Sequence, residues 1–173
     1  MSANDADDYV RIETEWIGVA LGEEKPFLGV CLGAQMLAVH LGSNVWPDPN
    51  GRVEIGYHRV HPTPDARIGG TWPERVYQWH REGLDVLSGA VALASSDGPF
   101  AKQAFRFGKA AYGVQFHPEI TYAMVCRWSG RNPHRLAHAG AQDRASQLAD
   151  HIAHGPTVRR WLDGFLRAWL AAA

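Results

Sequence analysis

In the run Gly29-Val30-Cys31-Leu32-Gly33 a cysteine stands between two glycines, after the short apolar segment Lys25-Pro26-Phe27-Leu28-Gly29-Val30 and before a stretch with helical spacing. G-x-nucleophile-x-G between a strand and a helix is the pattern of a nucleophile elbow, a turn so tight that side chains flanking the nucleophile would clash with strand or helix. It projects the Cys31 sulfur from the strand end, and the positive end of the next helix favours thiolate over thiol. Far along the chain, Tyr112-Gly113-Val114-Gln115-Phe116-His117-Pro118-Glu119 reads as a strand that ends at a histidine with a carboxylate two positions on. Period-two geometry aims His117 and Glu119 broadly the same way. A glutamate accepting from one imidazole nitrogen leaves the other free to exchange a proton with a nucleophile. Each motif alone also has a plainer reading, a buried core cysteine beside a glycine-rich turn and a strand-end histidine paired with its neighbour. Together they carry the Cys-His-acid logic of nucleophilic catalysis, which is recognised by roles rather than by sequence order.

The elements that must position these residues are legible from periodicity. Tyr9, Ile12, Trp16, Ile17 and Ala20 recur at helical spacing, which predicts an amphipathic helix with Asp8 as N-cap and Gly22 just past its end. The elbow strand follows, then a helix over residues 34–41 closed by Gly42. Residues 46–52 form a loop, residues 53–60 a strand, residues 62–74 another loop, and residues 75–80 a second strand. Further strands are expected at 90–95, 101–107 and 111–116, with Gly108-Lys109 turning the last two into a hairpin. From Ile120 onward the pattern is helical, broken by a looser interval at 130–140. Two helices are expected after it, the last with Val158, Trp161, Leu162, Phe165, Leu166 and Trp169 on one face. The whole reads as one domain over residues 1–173, with a core at 5–128 and a C-terminal helical extension at 129–173.

Composition bounds the rest. A chain of 173 residues, 46% apolar and 20% charged, is globular rather than disordered, and its formal charge of -1 gives no electrostatic support to nucleic-acid or membrane-surface binding. Cys31 and Cys126 lack C-x-x-C spacing, which argues against a disulfide scaffold or a cysteine-rich zinc site and fits a reducing compartment. Asp5, Asp7, Asp8, Glu13, Glu15, Glu23 and Glu24 crowd the start, and no signal pattern or membrane-length apolar run is seen, so a soluble cytoplasmic protein is expected. His58/His61 and His134/His138 have spacings compatible with metal binding but no accompanying Cys or carboxylate cluster, so solvent-facing or locally satisfied histidines are expected. Cys126, Trp16, Trp161 and Trp169 read as packing residues, and Arg159 and Arg160 as a solvated helix face. Glycine-rich nucleotide loops are absent.

The runs Lys25–Gln35 and Gly113–Glu119 resemble the two signatures of class I glutamine amidotransferases, the glutaminase domains attached to or working beside enzymes such as GMP synthase. Within that class the chain is most similar to stand-alone, GMP-synthase-like members. The resemblance covers most of residues 5–128 and implies an α/β fold: an open, mostly parallel sheet flanked by helices in a flavodoxin-like three-layer arrangement. It implies that Cys31 attacks the side-chain amide of glutamine, that His117 passes the proton to leaving ammonia, and that Glu119 orients His117. By the same resemblance the Leu32 N–H belongs to the oxyanion hole, Gln35 helps to hold the substrate, and Trp79 and His80 line the glutamine pocket. The usual His-Gly-Asp continuation reads His80-Arg81-Glu82 here. No metal or organic cofactor is implied. The partners implied are glutamine and an ammonia-accepting synthetase, without nucleic acid or membrane.

One departure is marked. The family's glycine-rich loop, which supplies the other oxyanion N–H, would precede Met1, as would roughly two βα units of about 30 residues each. The chain is therefore expected to be N-terminally truncated, with an uncovered sheet edge beside the elbow strand and half of the oxyanion hole missing. Two rival functions follow: a Cys-His-Glu hydrolase of a γ-glutamyl amide, and a non-catalytic truncated amidotransferase domain.

Overall fold

The structure, a computed structural model, describes residues 1–85 and 89–172. Helix α1 (Asp8–Gly22) leads to strand β1 (Phe27–Val30) and helix α2 (Leu32–His40). There follow β2 (Val45–Pro47), β3 (Glu54–Arg59), β4 (His61–Pro62), β5 (Arg75–His80), β6 (Glu82–Leu84), β7 (Ala90–Ser95), β8 (Lys102–Phe107) and β9 (Ala111–Val114). Helix α3 (Tyr122–Arg131), a 3₁₀ turn (Pro133–Ala137) and helix α4 (Arg144–Ala171) complete the chain.

The main sheet has the order β1-β9-β8-β7-β4, and β1 with β9 is its parallel pair; the other three pairings are antiparallel. The expectation of a mostly parallel sheet is thereby corrected to a mixed one. The reason is connection length: a parallel neighbour needs a long crossover, whereas β8 and β9 are joined through the expected turn at Gly108 (φ +58°), which permits antiparallel pairing alone. β1 stands at the end of this sheet, with no strand on its outer side among the described residues. Two smaller antiparallel pairs, β2 with β6 and β3 with β5, lie beside it.

Alternation along the strands sends apolar side chains to both faces. Phe105 packs with Val10 and Ile17 of α1 and with Ala34, Leu37 and Ala38 of α2. Its neighbour Ala104, with Tyr112 and Val114, faces Tyr57 and Tyr77 and the α4 residues Val158, Trp161, Phe165 and Trp169. Helices thus cover the sheet on two sides, as expected. Residues 129–173, expected as an extension, supply much of the second core.

Two helical expectations are corrected. In α1 the buried stripe is Val10, Ile17 and Ala20, while Tyr9, Ile12 and Trp16 are exposed, Trp16 by 60%. The helix carries apolar residues on two faces, and periodicity alone does not say which one meets the sheet. After residue 140 there is one 28-residue helix rather than two, with Pro156 inside it. Proline removes one backbone bond, and the buried Val158, Trp161 and Phe165 just beyond keep the helix seated. No helix of the described residues is long and apolar enough to cross a membrane.

Phe165 is 1% exposed and packs against Tyr112, Trp161 and Trp169. Phe165→Ala is expected to lower unfolding free energy by about 3–5 kcal/mol, measured by urea denaturation.

Candidate functional site

The site lies outside the carboxyl ends of β1 and β9, the usual place for ligands on such sheets. Pairing runs from Phe27↔Ala111 to Val30↔Val114 and is extended by the Cys31 N–H, which donates to the Val114 carbonyl at 2.8 Å. Cys31 then leaves the strand with φ 50° and ψ -103° and caps α2. A non-glycine residue with positive φ at this turn fits the strained elbow that the sequence predicts. Gly29 is sterically required, since a Cβ there would run into the Gly33 carbonyl and the Ala34 nitrogen. Gly33 is not: a Cβ at this position meets no atom of the described residues within 4 Å, which corrects the expectation that both glycines avoid a clash.

As N-cap of α2, Cys31 sits at the positive end of the helix. The Leu32 N–H opens that helix and has no intrahelical acceptor, so it is available to an oxyanion. Chain direction from β9 carries His117 to the same end of the sheet, where its N–H donates to the Tyr77 carbonyl at 2.8 Å. His117 Nδ1 donates to Glu119 Oε1 at 2.7 Å, which leaves Nε2 as the nitrogen that can serve Cys31. Trp128 of α3 packs edge-on to the imidazole, ring centroids 5.0 Å apart. Burial pushes the His117 pKa down, but hydrogen bonds to the Cys31 and Glu119 side chains, with their charges, outweigh it and raise the value to about 9.

Cys31, Leu32, Gln35, Trp79, His80 and Arg81 line one small cleft of about 60 Å³. Within it the side chains differ in availability. Trp79 is half-buried, stacked on Tyr77 and tilted against Trp128. His80 has both ring nitrogens engaged within the protein, Nδ1 with the Glu82 carbonyl at 2.9 Å and Nε2 with Gln78 Oε1 at 3.0 Å. Gln35 is buried, its Nε2 donating to the Glu82 carbonyl at 2.9 Å. There are two larger cavities, of about 340 and 500 Å³. The first meets the cleft at His80, Arg81 and Arg135, and the second is at the other end of the sheet, beside Lys25 and the β8–β9 turn.

Three site residues escape sequence reasoning. Gln115 is 1% exposed and directs Nε2 to the Cys31 sulfur at 3.8 Å. A polar residue in the otherwise apolar run 111–116 is its signal. Glu54, fully buried in the stretch 53–60, carries a weaker signal, because His58 and Arg59 are polar there too. Trp128 has none, because its spacing is that of any helix core. Two of the other histidines have local partners: His61 binds Asp97 at 2.7 Å, and His58 contacts the Ile55 carbonyl at 3.3 Å. Both cysteines are free thiols.

Residues 4–123 match the family described as glutamine amidotransferase class-I, and the chain belongs to that family. Among solved structures, a glutamine amidotransferase from Methylobacillus flagellatus superposes with a TM-score of 0.90 at 30% identity, over 99% of this chain and 73% of its own. One from Thermotoga maritima gives a TM-score of 0.84 at 30% identity, over 96% and 73%. A glutamine-hydrolysing GMP synthase from Thermobifida fusca is 33% identical over 56% of this chain and 19% of its own length. A shorter relative, one of the separate subunits of the glutamine-hydrolysing GMP synthase from Thermoplasma volcanium, is 31% identical over 59% and 51%. The chain thus spans about half the length of the Thermoplasma relative and a fifth of the longer synthase.

The ordinary histidine value is 6.5 and the folded value about 9, so His117 stabilises the fold fully below pH 6.5 and this contribution is lost as pH rises through about 9. An NMR titration of the His117 ring is expected to show a midpoint near 9 and a lower one in Glu119→Gln. A midpoint near 6.5 in the unmodified protein would contradict the geometry.

Proposed function

We propose that the chain hydrolyses the side-chain amide of glutamine to glutamate and ammonia through a thioester on Cys31. The observation that carries this reading is the parallel β1–β9 pairing, which brings Cys31 at the head of α2 to the same sheet end as an imidazole already held by Glu119. Membership of the glutamine amidotransferase family supports the substrate.

In this reading the Cys31 thiolate forms a C–S bond to the amide carbon while the carbonyl π pair moves onto oxygen. The Leu32 N–H stabilises that oxyanion, and one such donor is worth about 2.7–4 kcal/mol in comparable sites. Collapse breaks the C–N bond, and His117 Nε2–H supplies the proton that lets ammonia leave. Neutral His117 then takes a proton from water, hydroxide attacks the thioester, and the sulfur departs as thiolate. Glu119 holds the ring through Nδ1 and stabilises its charged form in both halves. Gln35, Trp79 and the backbone around His80 line the space for the glutamyl portion. The GMP synthase relatives suggest that the ammonia passes to a synthetase partner.

Cys31→Ala is expected to reduce glutamate release from glutamine by at least about a thousandfold, followed with a coupled glutamate assay. A glutamine-like electrophile is expected to label Cys31 and spare Cys126 in peptide mass spectrometry, whereas equal labelling of the two would count against a glutamine-binding nucleophile site.

A further inference from the structure

Behind the cleft lies a set of buried polar side chains that the proposed reaction does not use. Glu54 and His80 are register partners on β3 and β5, with the carboxylate 0% and the histidine 6% exposed. His80 Nε2 is 3.2 Å from Glu54 Oε2. The carboxylate also accepts from Ser96 Oγ at 3.2 Å and from Gln103 Nε2 at 2.9 Å. Such a set is expensive to bury, and apolar side chains of the same volume would generally hold the strands together as well. Its polarity is therefore the part that asks for a role.

We propose that Glu54 and His80 form a positioning unit for the nucleophile site, acting through one carbonyl oxygen, that of Glu82, to set the orientation of the Gln35 and Gln115 amides beside Cys31. This deepens the glutaminase reading and rests on it. The orientation of each amide follows from its neighbours. Gln103 Nε2 donates to the Phe100 carbonyl at 2.7 Å as well as to Glu54, so Gln103 Oε1 must face Gln78. Gln78 then turns Nε2 toward Gln103 and Oε1 toward His80. Each partner of the His80 nitrogens, namely Gln78 Oε1, Glu54 Oε2 and the Glu82 carbonyl, is an acceptor. The ring is thus held between the Glu82 carbonyl on one side and Gln78 Oε1 with the Glu54 carboxylate on the other.

The far side of the same carbonyl continues the chain toward the sulfur. Glu82 O accepts from His80 Nδ1 and from Gln35 Nε2, each at 2.9 Å. With Gln35 presenting its amino group, Gln115 must present Oε1 to it, at 3.3 Å, and this turns Gln115 Nε2 toward Cys31 Sγ. A donor at that place suits a thiolate. The flipped amide would set oxygen against sulfur and repel the charge. The Glu82 carbonyl, held in place by the buried pair through His80 Nδ1, thus sets which end of two glutamines meets the nucleophile and the substrate.

The test is Glu54→Gln, which keeps the shape and removes the charge, in the full chain. Iodoacetamide alkylation of Cys31 is measured relative to Cys126 in the same sample, beside KM and kcat for glutamine per titrated site. The expected result is a Cys31:Cys126 rate ratio at least about threefold below the unmodified protein, with Cys126 unaffected. KM should rise roughly tenfold while kcat per titrated site stays within about threefold, the signature of a displaced binding side chain rather than of lost fold. Glu54→Asp, which keeps the charge, should recover part of both. An unchanged alkylation ratio in a folded Glu54→Gln protein overturns the proposal, whatever KM does. If that variant does not fold, Ser96→Ala removes one donor to the carboxylate and is judged on the same ratio. Failure of the unmodified protein to release glutamate would sink the glutaminase reading instead, and the ratio would still decide the positioning role.

Discussion

The parallel pairing of β1 with β9 is the constraint on which the rest depends. The two strands are far apart in sequence, yet their register takes Val30 and Val114 to the sheet end together and is locked by the Cys31 N–H on the Val114 carbonyl. Parallel direction matters because it puts the residues that follow both strands at one edge. Beyond β1 the chain turns into α2, and beyond β9 it turns under Tyr77, so a sulfur and an imidazole meet there without any long loop to hold them. The antiparallel strands outward from β9 widen the floor of this arrangement and give α4 a surface to cover.

Polar groups at that edge are arranged around one sulfur. The N-terminus of α2, the His117 imidazole and the Gln115 amino group converge on the Cys31 sulfur from different directions. Glu119 acts one bond further out by holding the proton on Nδ1. Glu54 is the second carboxylate of the region and is more deeply buried; burial pushes its pKa up, yet the hydrogen bond and charge of His80, with smaller help from His58 and Gln103, hold it below the usual range. Two acid–histidine pairs thus flank the cleft, one toward the proposed proton transfer and one behind the amides that line it.

Much of this is legible in the sequence, and what is not has physical reasons. Cys31 and His117-x-Glu119 stand out because their residue types and spacing suit one chemistry. The elbow forms as expected, but β9 stops at Val114, so a turn at residues 118–119 rather than strand period two brings Glu119 onto His117. The helices and strands that carry them sit close to their expected bounds, with α1 capped at Asp7 rather than Asp8. Sheet direction departs from the family expectation because the short connections between β7, β8 and β9 demand antiparallel neighbours. The buried face of α1 is ambiguous in sequence since Ile12 and Ile17 are equally apolar, and only the position of α2 and the sheet separates them. The Gln115 and Gln35 contacts arise between residues remote in sequence, and no local pattern announces which amide will meet which carbonyl.

The most direct test of the central claim, that this sheet edge makes Cys31 a nucleophile toward an amide carbon, is acid quenching of the protein during turnover with glutamine, followed by peptide mass spectrometry. The account predicts a hydroxylamine-sensitive adduct on the peptide containing Cys31, its mass that of glutamine less ammonia, accumulating before glutamate reaches its steady rate. Steady glutamate release with no adduct on Cys31, or with the adduct on another residue, would contradict it.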